Sequence, residues 1–212
     1  MSLRLGDIAP DFEAQTSLGK INFYEYLGTA WGILFSHPAD YTPVCTTELG
    51  KTAQLQSEFG KRNTKVLAIS VDSLDRHAGW IKDINETQHV SVEFPIIADP
   101  ERVVANLYDM IHPNASETTT VRSLFIVGPD KKVKLIITYP ASTGRNFTEV
   151  LRVLDSLQLT AQYSVATPAD WKEGEKVIVA LSVSTQDAQT KFPKGIEIVK
   201  PYLRYTPQPN LA

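Results

Sequence analysis

The chain has 212 residues, 42% of them hydrophobic, with 21 Lys and Arg against 24 Asp and Glu and a net charge of −3. Near-balanced charge without a basic block excludes a nucleic-acid partner and an anionic membrane surface, and no apolar run approaches the length of a membrane span, so no integral membrane segment is expected. The opening Met1-Ser2-Leu3-Arg4-Leu5-Gly6-Asp7 has no apolar core and no cleavage pattern, so no signal peptide is expected. One cysteine, Cys45, excludes an intrachain disulfide, which suits a reducing compartment and points to the cytoplasm. The glycosylation-like triplets at Asn85, Asn114 and Asn146 are accordingly read as chance matches.

Residues 1–20 read as loop, with Gly6, Pro10 and Gly19, and Ile21–Phe23 as a short strand. Trp31–Ser36 is a short apolar run, long enough for a buried strand and too short for a helix. Thr42 and Pro43 then look like an N-cap and a first helical residue, opening a helix over Thr42–Phe59 with Leu49, Ala53, Leu55 and Phe59 on one stripe. Lys65–Val71 is a second β-branched run, giving strand–helix–strand and a parallel pair. Leu74 to about Asn85 reads as a helix, Phe94–Ala98 as a strand and Glu101–Tyr108 as a short helix. Val121–Val127 and Lys132–Tyr139 flank Gly128-Pro129-Asp130-Lys131, so they predict a hairpin. Phe147–Leu159 is amphipathic, with Val150, Leu151, Leu154 and Leu157 on one side. The order is α/β and thioredoxin-like with an insertion. After Thr160, Pro168, Gly174, Pro193, Gly195, Pro201, Pro207 and Pro209 punctuate short strand-like runs at Val177–Val183 and Gly195–Val199. We therefore expect a main domain over 1–160 and a small β-containing unit over 161–212 that buries little alone.

Cys45 falls in the first turn of the helix after the buried strand. Unpaired N–H groups and the positive end of the helix dipole stabilise an anion there, which favours the nucleophilic thiolate. A single free cysteine is also often an inert core residue, so its neighbours decide. Arg122 lies in a run that reads as a largely buried strand. It is either an edge residue in water or a cation placed beside the Cys45 sulfur, since a buried arginine needs an anionic partner. Thr42 could cap the Cys45 N–H or hydrogen-bond the sulfur or an incoming oxygen. Glu48, one turn on, is either a solvated residue or a partner for an arginine, with Arg145 the candidate. His37, His77, His89 and His112 show no metal-ligand spacing. His37 could line the cysteine pocket, and the other three read as surface residues. A cysteine–histidine hydrolase rests on proximity alone. Without Cys-x-x-Cys, dithiol exchange is excluded, and no phosphate loop or dinucleotide fingerprint appears.

Pro38-x-x-x-Thr42-x-x-Cys45, within Phe35-Ser36-His37-Pro38-Ala39-Asp40-Tyr41-Thr42-Pro43-Val44-Cys45-Thr46-Thr47-Glu48, resembles the active-site motif of the peroxiredoxins. The whole chain resembles their 1-Cys, peroxiredoxin 6 subfamily, with supporting stretches at 6–12, 82–85, 94–97, 128–132, 139–147 and 202–207. The resemblance implies a thioredoxin-like fold with a C-terminal domain and a homodimer, with further assembly into rings in some members. It implies a peroxidatic Cys45 with Thr42 and Arg122 as partners, Pro38 shielding the pocket, His37 lining it, and Glu48 and Arg145 as a supporting ion pair. No metal or cofactor is expected. The substrates would be hydrogen peroxide and organic hydroperoxides. The sulfenic acid would need an external thiol or small reductant. Glutathione with a glutathione transferase is the subfamily's usual candidate, and ascorbate or a thioredoxin remain open. Some vertebrate relatives are described as phospholipases with a Gly-x-Ser-x-Gly serine. The matching stretch is Gly28-Thr29-Ala30-Trp31-Gly32, with Tyr24 at the histidine position and Asp130 retained, so no such activity is expected. A redox sensor or chaperone-like assembly and a binding module with an inert cysteine are the rival classes.

Overall fold

The computed structural model describes residues 2–211, which divide into two compact units, one up to Phe147 and the other from Thr148 on. In the first, β1 (Glu13–Thr16) and β2 (Gly19–Asn22) form a hairpin, followed by α1 (Phe23–Leu27) and β3 (Trp31–Ser36). Then come α2 (Pro43–Gln54), α3 (Gln56–Lys61), β4 (Thr64–Ser70), α4 (Leu74–Gln88), β5 (Ile96–Ala98), α5 (Val103–Leu107), β6 (Arg122–Val127) and β7 (Val133–Tyr139). The sheet runs β2-β1-β5-β4-β3-β6-β7. The β3, β4 and β5 strands are parallel, while β6 lies antiparallel to β3, with Phe35 opposite Leu124. This is the expected strand–helix order, and the Gly128–Lys131 turn does join a hairpin.

Every residue of β3 and β6 is buried, as expected for central strands covered on both faces. One core cluster gathers Phe12, Phe23, Tyr108 and Phe125, with the Phe12 and Phe23 rings stacked at 4.8 Å and Tyr108 edge-on to Phe125 at 5.3 Å. The Tyr108 hydroxyl donates to the Pro10 carbonyl at 2.6 Å, so the polar tip of the buried ring is satisfied.

Three local readings change. Residues 13–22 form a hairpin rather than only loop; β1 and β2 are four residues each and largely polar, so no apolar run marks them in the sequence. Phe23 starts α1, because the Asn22 side chain caps that helix by accepting the Glu25 N–H at 3.0 Å. The long helix breaks at Leu55, whose N–H is shared between the Lys51 and Thr52 carbonyls, tightening the last turn of α2.

The second unit takes in the body of α6 (Phe147–Gln162), so the division falls at the head of that helix rather than after Thr160. It adds β8 (Val165–Ala166), β9 (Val177–Val179), α7 (Thr185–Lys191), β10 (Glu197–Lys200) and β11 (Leu203–Thr206). These strands form a small antiparallel sheet, β10-β11-β9-β8. Leu159 of α6 packs with Trp171, Val177, Val179 and Phe192 in this unit's own core.

Helices α2 and α4 meet where Gly50 faces Gln88. A Cβ at Gly50 would stand 2.7 Å from the Gln88 Cβ and overlap its Cγ. Ala is the better helix former, but overpacking of this kind costs about 1–3 kcal/mol. Urea unfolding of Gly50→Ala should therefore show a net loss of stability, and a gain would mean that the two helices can separate without cost.

Candidate active site

The strand β3 ends at Ser36, whose hydroxyl donates to the Val121 carbonyl at 2.6 Å and accepts the Ser123 N–H at 3.0 Å. The strand's exit is thereby tied to the start of β6. His37 continues it, with its N–H on the Ile69 carbonyl and its own carbonyl taking the Thr120 hydroxyl at 2.8 Å. The chain then turns through Tyr41, at φ 58, and enters α2 at Pro43. Proline at the first helical position loses nothing, since that N–H has no intrahelical partner anyway. Cys45 follows in the first turn and is fully buried.

Antiparallel pairing brings the start of β6, Arg122, to the edge where β3 ends. Its Nη1 donates to the Cys45 Sγ at 3.4 Å and to Glu48 Oε2 at 2.7 Å. Its Nε and Nη2 both donate to the Ala141 carbonyl, at 3.0 and 2.6 Å. Held on two sides, the guanidinium has little freedom to leave the sulfur. Arg145 forks onto the same carboxylate, with Nε on Oε1 at 2.9 Å and Nη2 on Oε2 at 2.7 Å. The backbone N–H of Arg145 adds a bond to Oε1 at 2.8 Å, its Nη1 donates to the Ser123 carbonyl at 2.9 Å, and its guanidinium lies 4.8 Å from the Phe35 ring centre.

Arg122, Glu48 and Arg145 are all buried. Burial pushes the Glu48 carboxyl up, but hydrogen bonds and charge from Arg145, and charge from Arg122, overcome it and hold the group below the usual carboxylate range. Two cations against one carboxylate leave a positive charge over beside the sulfur. Helix α2 points its N-terminus at the same place, and both fields favour negative charge on Sγ.

The structure thus brings Cys45, Arg122, Glu48 and Arg145 into one contact group, and of the two readings for Glu48 the arginine partner is the one realised. Thr42 differs from its capping expectation. Its hydroxyl donates to the Ala39 carbonyl at 2.8 Å and makes no cap bond to the helix, while its carbonyl takes the Thr46 hydroxyl at 2.9 Å. Pro38 is half-buried, and His37 is fully buried with its ring 5.1 Å from that of Trp80. Trp80, which the sequence did not single out, donates its indole N–H to Thr46 at 3.1 Å, next to Cys45. His77 corrects the surface expectation, because it is wholly buried, with ring nitrogens on Asp40 at 2.6 Å and on the Ile97 carbonyl at 3.1 Å. Its place on the sheet-facing side of α4 was hidden by the polar residues around it. Among the described residues, ligand-type atoms of His37, Asp40 and Asp72 lie within 4.8 Å of one another. Protein hydrogen bonds already occupy them: His37 Nε2 on Asp40, and Asp72 Oδ2 on the Asp40 N–H and the Ser70 hydroxyl.

Comparison with known proteins agrees with this geometry. Residues 5–136 match the AhpC/TSA family, and residues 156–195 match the C-terminal domain of 1-Cys peroxiredoxin. The chain is 58% identical over 208 residues to a 1-Cys peroxiredoxin of Dictyostelium discoideum, covering 98% of this chain and 86% of that one. It is 54% identical over 220 residues to peroxiredoxin-6 of Mus musculus, covering 98% of each. A crystal structure of a cysteine-to-serine mutant of peroxiredoxin 6 from Arenicola marina superposes with a TM-score of 0.94 at 48% identity, covering 99% of this chain and all of that one. The structure of a yeast mitochondrial 1-Cys peroxiredoxin gives 0.91 at 50% identity, covering 97% and 99%. With one cysteine, set against an arginine at a helix N-terminus, the chain belongs to the peroxiredoxin family, in its 1-Cys branch, and is a thiol peroxidase.

Proposed function

We propose that Cys45 is the peroxidatic residue, and the observation that carries this is the Arg122 Nη1 contact to Sγ at 3.4 Å in the first turn of α2. The thiolate attacks one oxygen of the hydroperoxide. The S–O bond forms as the O–O bond breaks, the electron pair leaves on the second oxygen, and that oxygen takes a proton to depart as water or alcohol. Sulfur is oxidised to sulfenic acid and the peroxide is reduced. Arg122 and the Cys45 N–H, which no Thr42 side-chain cap occupies, stabilise the departing oxygen. Thr42 has committed its hydroxyl hydrogen to Ala39, so its lone pairs accept the peroxide hydrogen and orient the substrate. Pro38 shields the pocket and His37 lines it. Glu48 and Arg145 hold Arg122 in place.

Hydrogen peroxide and organic hydroperoxides are the substrates of this reading, and antioxidant defence its purpose. An external thiol attacks the sulfenic sulfur and releases water. A second thiol then frees Cys45. Glutathione, with a glutathione transferase, is the reductant we favour, and the yeast relative is described as resolved via glutathione/thioredoxin systems. The lone thiol supports a cytoplasmic setting. Strand β7 is a sheet edge with Leu135, Ile136 and Ile137 half-buried, which supports pairing with a second copy as a homodimer. No helix among the described residues is long and apolar enough to cross a membrane. We also propose that the chain lacks phospholipase activity. Ala30 is buried without a hydroxyl, the Tyr24 hydroxyl is spent on the Ala9 carbonyl, and Asp130 pairs with Lys134.

Stopped-flow reaction with hydrogen peroxide, followed by tryptophan fluorescence, tests the core of this reading. Trp80 is the expected reporter, since Trp31 begins β3 and stands roughly 16 Å from its far end at about 3.3 Å per residue. Cys45→Ser should abolish the fast phase, and Arg122→Leu should slow it by about 10²–10³ while folding is kept. An unchanged rate in Arg122→Leu would remove that residue from the mechanism. Glu48→Gln leaves two buried guanidiniums without their counter-charge, at a cost of about 3–5 kcal/mol near pH 7. The folded-state shift of Glu48 is downward, so its contribution is present above the ordinary glutamate range and is lost as pH falls below it. Denaturant unfolding should therefore show the wild type and the variant converging in acid, and a gap that persists there would contradict the pairing. Purified protein should release no fatty acid from phospholipid vesicles, and hydrolysis that disappears with a change in residues 28–32 would refute the negative proposal.

A further inference from the structure

A second buried polar cluster lies beside the site, and of its members only His37 entered the chemistry above. Asp40 is 2% exposed, and His37 and His77 are fully enclosed. Asp40 Oδ1 stands 2.9 Å from His37 Nε2, and Oδ2 stands 2.6 Å from His77 Nδ1. The other nitrogen of His77 faces the Ile97 carbonyl of β5. The end of β4 contributes Asp72 and Ser70. The Asp40 N–H and the Ser70 hydroxyl both donate to Asp72, while Arg76 of α4 donates to Asp72 at 2.8 Å and reaches the Asp40 carbonyl at 3.5 Å.

The hydrogens in this cluster can be assigned. A carbonyl only accepts, so His77 Nε2 carries a hydrogen. Burial pushes the Asp40 carboxyl up, and hydrogen bonds from His37 and His77 more than reverse this, bringing it down to about 2. Asp40 is therefore a carboxylate, and both histidines donate to it. Both nitrogens of His77 face acceptors. Burial holds His37 below its ordinary range, so it carries one hydrogen, on Nε2. Its Nδ1 is left bare, and it is a fully buried atom without a hydrogen-bond partner among the described residues. An orphaned buried polar atom ordinarily costs about 1–3 kcal/mol.

We propose that Asp40 and His77 are positioning residues for the peroxidase reaction: they lock His37 as its Nε2–H tautomer with a bare Nδ1, and they fix the Ala39–Thr42 turn that presents Thr42. Their reach is direct. The Ala39 carbonyl receives the Thr42 hydroxyl, the Asp40 N–H is pinned to Asp72, and the His37 ring lies against Trp80, which bonds Thr46 beside Cys45. Asn at position 40 would still accept from His37 through Oδ1 and could donate to a His77 ring that accepts at Nδ1, so only an apolar residue there removes the acceptor both imidazoles share.

This inference rests on the peroxidatic role of Cys45, and its test separates the two. Histidine-ring 1H–15N correlation spectra of the reduced wild type at neutral pH should show His37 with a protonated Nε2 and bare Nδ1. Asp40→Leu, which removes the shared acceptor, should move His37 out of that single tautomer and slow the reaction with hydrogen peroxide by about 10- to 100-fold, as a small misplacement of an aligned group does. His77→Gln should act in the same direction and serves if Asp40→Leu does not fold. A cluster that only braces the fold would lower stability and leave tautomer and rate alone. A wild-type His37 protonated on Nδ1, or an altered tautomer with an unchanged rate, would overturn the proposal. A wild type no faster than Cys45→Ser would instead overturn the peroxidatic reading while the ring spectra still report on the cluster.

Discussion

The site depends on one carboxylate enclosed between two guanidiniums. Glu48 sits on α2, Arg122 opens β6, and Arg145 lies in the segment before α6, so one side chain ties three parts of the first unit together. A buried arginine is costly unless its charge is met and its fork of hydrogens filled. Here the Ala141 and Ser123 carbonyls take the hydrogens that Glu48 does not. The carboxylate is outnumbered, and that imbalance puts a net positive charge against the sulfur. Had each cation its own carboxylate, the cluster would be as well satisfied and of no use to an anion.

Much of this was legible in the sequence because it is local. A strand run, a hydroxyl residue, a proline and a cysteine in a fixed order state where a helix starts and which thiol sits at its head. The β3-α2-β4 unit and the β6-β7 hairpin were readable for the same reason, since periodicity and turn residues act over a few positions. Arg122 stood out because a cation in an otherwise apolar run demands a partner. The Cys45 sulfur could be named as one partner, but the carboxylate partner was not readable, since Glu48 and Arg122 are 74 positions apart and only sheet pairing unites them. His77 and Trp80 were missed for a related reason. They lie on one face of α4, and which face looks inward depends on how that helix docks against the sheet. Thr42 was read as a cap from its position, yet its hydroxyl found the Ala39 carbonyl, because a local bond three residues back competes with the helix amides.

The two buried clusters differ in kind. Around Glu48, the arginines stay charged at any pH the fold survives, so the cations beside the sulfur are fixed. Around Asp40 the partners are imidazoles, whose tautomers follow from which acceptors surround them. One cluster sets the field at the sulfur, and the other sets which atoms of the neighbouring loop bear hydrogen. Both sit at the edge where β3 and β4 end, the place in an open sheet of this type where loops rather than strands decide the chemistry.

The spacing of the Glu48 cluster along the chain also bears on synthesis. Its members lie at positions 45, 48, 122 and 145, and the strand that carries Arg122 must insert beside β3 before the cation can meet the sulfur. A chain still emerging from the ribosome has the cysteine, the helix start and the whole Pro38–Cys45 motif long before it has either arginine. Until residue 145 is available, that thiol lacks the groups that distinguish it from any other. The thiol is thus without its neighbouring cations for as long as the chain is incomplete, and a fragment ending before β6 would keep the motif and lose the charge beside the sulfur.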